Sequence, residues 1–314
     1  MNIGLVGVGY WGKNILRNLK NNELCENIYC FDLNFKNTKK GNISFYNNEK
    51  DFFSVKNIDG YIVATPAGTH FHYVKKILKI DKFLCVTKPV FKDLNQLNYI
   101  KKNFKNYNKV FADHTYIFHP ALKIIKNILA RKYLGKIIYY DSERASFGKF
   151  YKDLNVIDDL AIHDFYILSY LFPENKFKKA KLISNNNFYN KNYYSIINLK
   201  SNNFTATTKV TWYSPFKSRR IVIAGSKKTL VFDDTLSDNK IQIYSKSIHL
   251  IKKKSYDWEY RVGNLYSPFV PNKESLSVML DSFFSFIKNN SNNSVTNFKH
   301  LEKVYNILKI IPLK

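Results

Sequence analysis

Gly7, Gly9 and Gly12 stand in the spacing G-x-G-x-x-G at the end of the apolar run Ile3–Gly7. In that setting the first glycine permits a tight turn, the second lets the main chain approach a pyrophosphate, and the third allows close strand–helix packing. The amides that open the following helix point at the phosphates. Asp32 closes a second apolar run, Ile28–Asp32, downstream of the glycines. A carboxylate there accepts hydrogen bonds from an adenosine ribose and repels a 2′-phosphate, so it predicts NAD rather than NADP. Lys36 lies near enough to soften that preference. The plain alternatives are a glycine turn with no ligand and an acidic turn residue.

Other residues could do chemistry beside such a cofactor. The segment Ala64-Thr-Pro-Ala-Gly-Thr-His70 follows the apolar run Gly60–Ala64. The carboxyl ends of parallel strands line the ligand crevice, so Thr65, Pro66 and His70 are expected near the nicotinamide half. A surface histidine at a helix start is the other reading of His70. Lys88-Pro89 follows Phe83–Thr87 and is placed to meet a substrate hydroxyl, or is one more solvated lysine. Asp159 and His163 are four apart in VIDDLAIHDFYIL, a spacing that puts both on one helical face. Histidine is the usual proton acceptor near neutral pH. A capping aspartate and a half-buried histidine is the alternative. No metal is invoked, because a spaced Asp/His pair is poor evidence for zinc.

The elements that must position these groups change character along the chain. To about residue 115, short apolar strands alternate with helices: Gly12–Lys20, Phe71–Ile80 and Leu94–Lys102 are helical, and Val110–Thr115 closes the series as a strand. Nearly continuous apolar strands separated by helices predict a parallel sheet covered on both faces. Asn34–Asn42 reads as a polar loop. Pro120 opens a helix running to about Arg131. After Gly135 the chain is strand-rich, with Lys136–Glu143, Lys178–Ser184, Tyr193–Lys200, Thr205–Tyr213, Arg219–Ala224, Thr229–Phe232 and Lys240–Tyr244 as strands. One helix, Asp159–Leu171, interrupts them, and Ser275–Ile287 and Phe298–Ile310 close the chain. The fold class is α/β plus α+β: a dinucleotide-binding domain over 1–117, then an α+β domain over 118–314 built on a large, mostly antiparallel open sheet.

The 314 residues are long enough for two cores, and 45% hydrophobic content excludes a disordered or collagen-like chain. Fifty Lys and Arg against 24 Asp and Glu give a net charge of +26. The basic residues are spread throughout, so the charge predicts no specific nucleic-acid partner, though it favours anionic small molecules. Cys25, Cys30 and Cys85 form no C-x-x-C, which argues against a disulfide scaffold or a thiolate zinc site. No leader-like start and no long apolar stretch are apparent, so a cytoplasmic protein without a membrane partner is expected.

The chain resembles the Gfo/Idh/MocA oxidoreductase family, and within it the bacterial sugar-nucleotide branch typified by UDP-N-acetylglucosamine 3-dehydrogenases. The segments that carry the resemblance are IGLVGVGYWGKNILRNL, VATPAGTHFHYVKKIL, Lys88-Pro89, ADHTYIFHPALKIIK, NVIDDLAIHDFYILSYL and VTWYSPFKSRRIVIAGSKKTLVFDD. The resemblance implies a Rossmann domain, with Tyr10 and Trp11 in its cofactor-binding glycine motif. It implies that Lys88 touches both the reacting hydroxyl and the nicotinamide ribose, that His163 is the general base, and that Asp159 orients substrate or histidine. It also implies a homodimer or homotetramer formed through the open sheet face.

Three positions depart from the family pattern. Thr87 stands where a glutamate is usual, Asp158 where a bulky aromatic is, and Ile162 where a proline is. The loss of the glutamate removes an anion that would help order the lysine and cofactor. The expectation is an NAD-dependent oxidoreductase acting on a secondary hydroxyl, C3, of a nucleotide sugar such as a UDP-N-acetylhexosamine or its uronate, in surface-polysaccharide synthesis. Arg144, Phe147, Lys149 and Tyr151 are candidates to hold the diphosphate and base. A ketoreductase or polyol dehydrogenase, and a non-catalytic NAD-binding regulator, are the alternatives.

Overall fold

A computed structural model describes residues 1–148, 154–185, 192–252, 257–290 and 294–312. The chain divides into two compact units. The first comprises Met1–Phe118 and Lys273–Asn306, the second His119–Asn272 and Ile307–Lys314.

The N-terminal part of the first unit alternates strand and helix. Its elements are β1 (Asn2–Val6), α1 (Tyr10–Lys20), β2 (Asn27–Phe31), β3 (Thr38–Lys40), β4 (Ile43–Tyr46), α2 (Glu49–Phe53), β5 (Gly60–Val63), α3 (Ala67–Lys79), β6 (Phe83–Thr87), α4 (Leu94–Asn103) and β7 (Val110–Asp113). Seven strands form one sheet in the order β3-β4-β2-β1-β5-β6-β7. All neighbours pair parallel except β3 with β4. The central strands are apolar because both faces are covered: Ile3, Leu5, Ile62, Val63, Leu84 and Val86 are fully buried. The order reverses at β1, whose neighbours are β2 on one side and β5 on the other. Such a switch point opens a crevice at the strands' carboxyl ends.

The second unit continues with α5 (Pro120–Ala130), β8 (Ile137–Phe147), α6 (Ile162–Leu171), β9 (Lys179–Asn185), β10 (Tyr194–Lys200), β11 (Thr205–Thr211), β12 (Tyr213–Gly225), β13 (Thr229–Asp233), β14 (Ile241–Tyr244), β15 (Ser247–Lys252), β16 (Asp257–Arg261) and β17 (Leu265–Tyr266). Eight of these strands form a sheet in the order β17-β14-β13-β12-β8-β11-β10-β9. It is antiparallel except for the central β8–β11 pair, and β15 and β16 make a separate ribbon. Alternation along β8 separates the faces: Tyr140, Ser142 and Arg144 are buried, while Tyr139 is exposed. α6 packs on the buried face and is itself buried almost all round.

Two helices close the chain, α7 (Ser275–Asn289) and α8 (Phe298–Ile310). α7 covers the first sheet. The Phe283 and Phe286 rings lie 5.4 and 5.6 Å from Phe111 on β7, and Met279 meets Cys85 on β6. The sequence reading, which cuts once at 117 and gives all of 118–314 to the second domain, is therefore corrected: residues 273–306 return to the first unit because the apolar face of α7 is spent on its sheet. The expected loop 34–42 contains the edge strand β3, three exposed residues held by pairing with β4. Among the described residues, no helix is long and apolar enough to cross a membrane.

Candidate functional site

In the first unit the glycine motif forms the link from β1 to α1. Gly7 has φ +90°, a conformation that L side chains rarely adopt. At Gly12 an added Cβ would come within 2.1 Å of the Gly7 carbonyl oxygen, so the helix crosses the turn at a distance only glycine permits. Gly9 is different, since nothing lies within 4 Å of where its Cβ would be. Gly9 caps α1 with no side-chain acceptor, and the first turn carries no acid. A helix start so arranged is suited to an anion. Asp32, just past β2, braces this turn: its Oδ2 accepts the Val8 N–H at 2.8 Å and its Oδ1 the Asn34 N–H at 3.0 Å. A carboxylate oxygen has a second lone pair, so both can still accept a ribose hydroxyl. These residues fit a dinucleotide.

The neighbouring groups fall into two kinds. Tyr10 is 85% exposed at the start of α1. Trp11, beside it, sends its indole N–H 2.8 Å to Asp113 Oδ2 at the end of β7. Thr65 and Pro66 lie between β5 and α3, where Thr65 Oγ1 accepts the Thr69 hydroxyl. His70 is buried: Nε2 lies 2.8 Å from the Thr65 carbonyl and Nδ1 2.8 Å from the Pro89 carbonyl. Burial lowers its pKa, against the pull of those two carbonyls. His70 thus braces the carboxyl ends of β5 and β6, and its burial sets aside the alternative of a surface residue. Lys88 is half-buried directly after β6, and the Lys88–Pro89 peptide is cis.

In the second unit, Asp159 and His163 straddle a junction. Residues Ile157–Ala161 form a π turn and α6 begins at Ile162, so the expected α-helix from Asp159 is corrected at its first turn. Asp159 Oδ2 accepts the indole N–H of the buried Trp212 at 2.9 Å, and His163 is half-buried in the first turn of α6. A π turn within a helix often marks a functional position.

Arg144 is not available to a diphosphate. Its guanidinium, with 8% side-chain exposure, holds Asp164 through Nε at 3.0 Å and an Nη at 3.2 Å. The reading of Arg144 as a substrate contact is corrected: period two along β8 turns it inward with Tyr140 and Ser142, and burial demands a partner. Phe147 is 71% exposed at the end of β8, with its ring 5.7 Å from that of Tyr213. Lys149 and Tyr151 lie outside the described residues. The sequence reading overlooked Asp113, Trp212 and Asp164. Asp113 was findable, being an acid at the carboxyl end of a parallel strand, whereas Trp212 meets Asp159 only through the fold.

Fold and site define a dinucleotide-binding Rossmann domain joined to an α+β domain on a mixed sheet. Residues 1–114 match the model of an oxidoreductase family with an NAD-binding Rossmann fold, GFO_IDH_MocA. Over that stretch the chain is similar to this family's NAD-binding Rossmann domain. An uncharacterized oxidoreductase of Escherichia coli strain K12, YdgJ, is 25% identical over 144 residues. The match covers 45% of this chain and 42% of that protein, less than half of its length. The fold resembles that of a chain assigned as an oxidoreductase from Magnetospirillum magnetotacticum MS-1, with a TM-score of 0.83, 19% identity and 99% of both chains covered. It also resembles the UDP-N-acetylglucosamine 3-dehydrogenase GnnA from Acidithiobacillus ferrooxidans, with a TM-score of 0.78, 15% identity and coverage of 99% of this chain and 96% of that one. At such identities the two likenesses establish the fold.

Proposed function

We propose that the protein is an NAD-dependent oxidoreductase acting on a secondary hydroxyl of a nucleotide-linked sugar, C3 of a UDP-N-acetylhexosamine or its uronate. The observation that carries the cofactor is the glycine turn braced by Asp32, with open space over Gly9 and no side chain capping α1. The sugar nucleotide is supported by the sequence resemblance and by the likeness in fold to a UDP-N-acetylglucosamine 3-dehydrogenase.

Gly7, Gly9, Gly12 and the start of α1 hold the pyrophosphate, and Asp32 holds the adenosine ribose. NAD, when bound, supplies the hydride acceptor. His163 Nε2 or Nδ1 takes the hydroxyl proton as general base. The Lys88 ammonium stabilises negative charge developing on that oxygen. Asp159, its carboxylate fixed by Trp212, orients the histidine or the sugar. The exposed face of the second sheet joins copies into a homodimer or homotetramer, and the protein works in the cytoplasm. The 3-keto product is the form on which a transaminase would act in polysaccharide synthesis.

Mass spectrometry of ligand that co-purifies with the protein, followed by NADH absorbance with a panel of UDP- and TDP-sugars, identifies the substrate. With that substrate, His163→Asn is expected to remain folded, keep NAD affinity and lose about 10²–10⁴ in turnover. Turnover within about threefold of the parent, far inside that range, removes His163 as the base.

A further inference from the structure

The residues that follow Lys88 are held from two helices of the first unit. Residues 88–93, between β6 and α4, lie outside strand and helix, yet Val90 and Phe91 are buried. A main chain that turns inward without a ladder must find its hydrogen bonds elsewhere. At Pro89 the carbonyl oxygen lies 2.8 Å from His70 Nδ1 on α3. At Phe91 a single atom serves both main-chain groups. Tyr305 Oη, on α8, accepts the Phe91 N–H at 2.8 Å and donates its own proton to the Phe91 carbonyl at 2.5 Å.

Packing accounts for the rings here but not for the hydroxyl. The Tyr305 ring is buried 6.1 Å from that of Phe91, and Phe298, also on α8, lies 6.2 Å from Phe91 on its own account. Those contacts hold the Phe91 side chain, and a phenylalanine at 305 would make them equally well. Only the hydroxyl orients the peptide groups on either side of Phe91. Between that anchor and the one at Pro89 stands a single buried residue, Val90, and Pro89 fixes its own φ. Little freedom is left by which the backbone at Lys88 could shift.

We propose that Tyr305 is a positioning residue: its hydroxyl fixes the main chain that carries Lys88, so that the ammonium meets the reacting oxygen. What the lysine does there rests on the function proposed above, whereas the anchoring belongs to the first unit alone.

Tyr305→Phe keeps the ring and removes the hydroxyl, and two measurements on it test the proposal. In ligand-free protein, amide hydrogen exchange of a peptide spanning 88–93 is expected to rise about tenfold or more, while peptides from β1 and β5 exchange as in the parent. In steady-state kinetics with UDP-N-acetylglucosamine or its uronate, whichever the parent oxidises, kcat is expected to fall about tenfold to a hundredfold, as for a misplaced catalytic group. In a Lys88→Met background the same substitution is expected to change kcat by less than about twofold, because the hydroxyl acts through the lysine. Unchanged exchange over 88–93 overturns the proposal, and so does a rise shared by β1 and β5, the mark of a merely structural tyrosine. A kcat within about twofold of the parent, or an equal fall with and without Lys88, overturns it as well. A parent that oxidises neither sugar nucleotide refutes the proposed function instead, and the exchange result then decides the anchoring by itself. Should Tyr305→Phe fail to fold, residue-resolved exchange in the parent takes its place. A Phe91 amide as protected as those of β6 supports the anchor, and one that exchanges freely overturns it.

Discussion

Replacing Arg144 with methionine separates two accounts of this residue. If it held a substrate diphosphate, the variant would be stable and bind substrate poorly. The structure instead has it gripping Asp164 by two charge-assisted bonds, with side-chain exposures of 8% and 1%. Removing one partner of such a pair strands the other as a buried charge, at a cost of about 3–5 kcal/mol. That is a large share of the roughly 5–15 kcal/mol that holds a typical protein folded. Urea unfolding followed by tryptophan fluorescence suits the test, since Trp212 is buried in the second unit. Arg144→Met should lower its stability by about 3–5 kcal/mol, whereas Arg144→Met with Asp164→Leu should recover most of that loss, because matched apolar groups often replace a buried pair without penalty. A single variant within about 1 kcal/mol of the parent, a surface-like effect, would refute the reasoning.

Two further outcomes are expected. Gly12→Ala should cost about 1–3 kcal/mol of stability, because its Cβ meets the Gly7 carbonyl, while Gly9→Ala should fold like the parent and lose NAD affinity at least about tenfold; urea midpoints and NAD titration check both. Burial would raise the Asp234 pKa, but hydrogen bonds and positive charge from His119 and Arg219 outweigh it and bring the pKa down from 3.8 to about 2. A folded-state value below the unfolded one means stabilisation that is present above about pH 4 and lost as the pH falls towards 2, roughly 2 kcal/mol in all. Unfolding measured from pH 5 to 2 should show a shallower acid slope in Asp234→Asn, and an unchanged slope would remove this carboxylate as its cause.

The alternation of strand and helix over the first 115 residues was legible because parallel strands buried on both faces read as apolar runs such as Gly60–Val63. The glycine turn was legible because its spacing is set by contacts within one turn. What escaped depended on partners distant in sequence. Thr38–Lys40 is a strand only through β4, since its exposed residues carry no pattern of their own. The apolar face of α7 announces a helix that buries something, without saying which sheet. Arg144 could have been read from its parity with Tyr140 and Ser142, but Asp164, which satisfies it, sits in the next helix among apolar residues. The π turn at 157–161 has no marker in its composition.

The return of residues 273–306 to the first sheet bears on how the chain matures on the ribosome. When residue 118 has emerged, all seven strands of that sheet are available, yet the helix that shields Cys85 and Phe111 is still more than 150 residues from synthesis. At elongation rates of roughly 5–20 residues per second, that gap lasts on the order of ten seconds or more. Throughout it a ready-paired sheet has one apolar flank uncovered, the kind of surface that chaperones hold and that aggregates when they do not. The first unit is thus completed only after residues 119–272 of the second have been made, and a fragment ending at residue 117 would carry the glycine turn without the helix that covers its sheet.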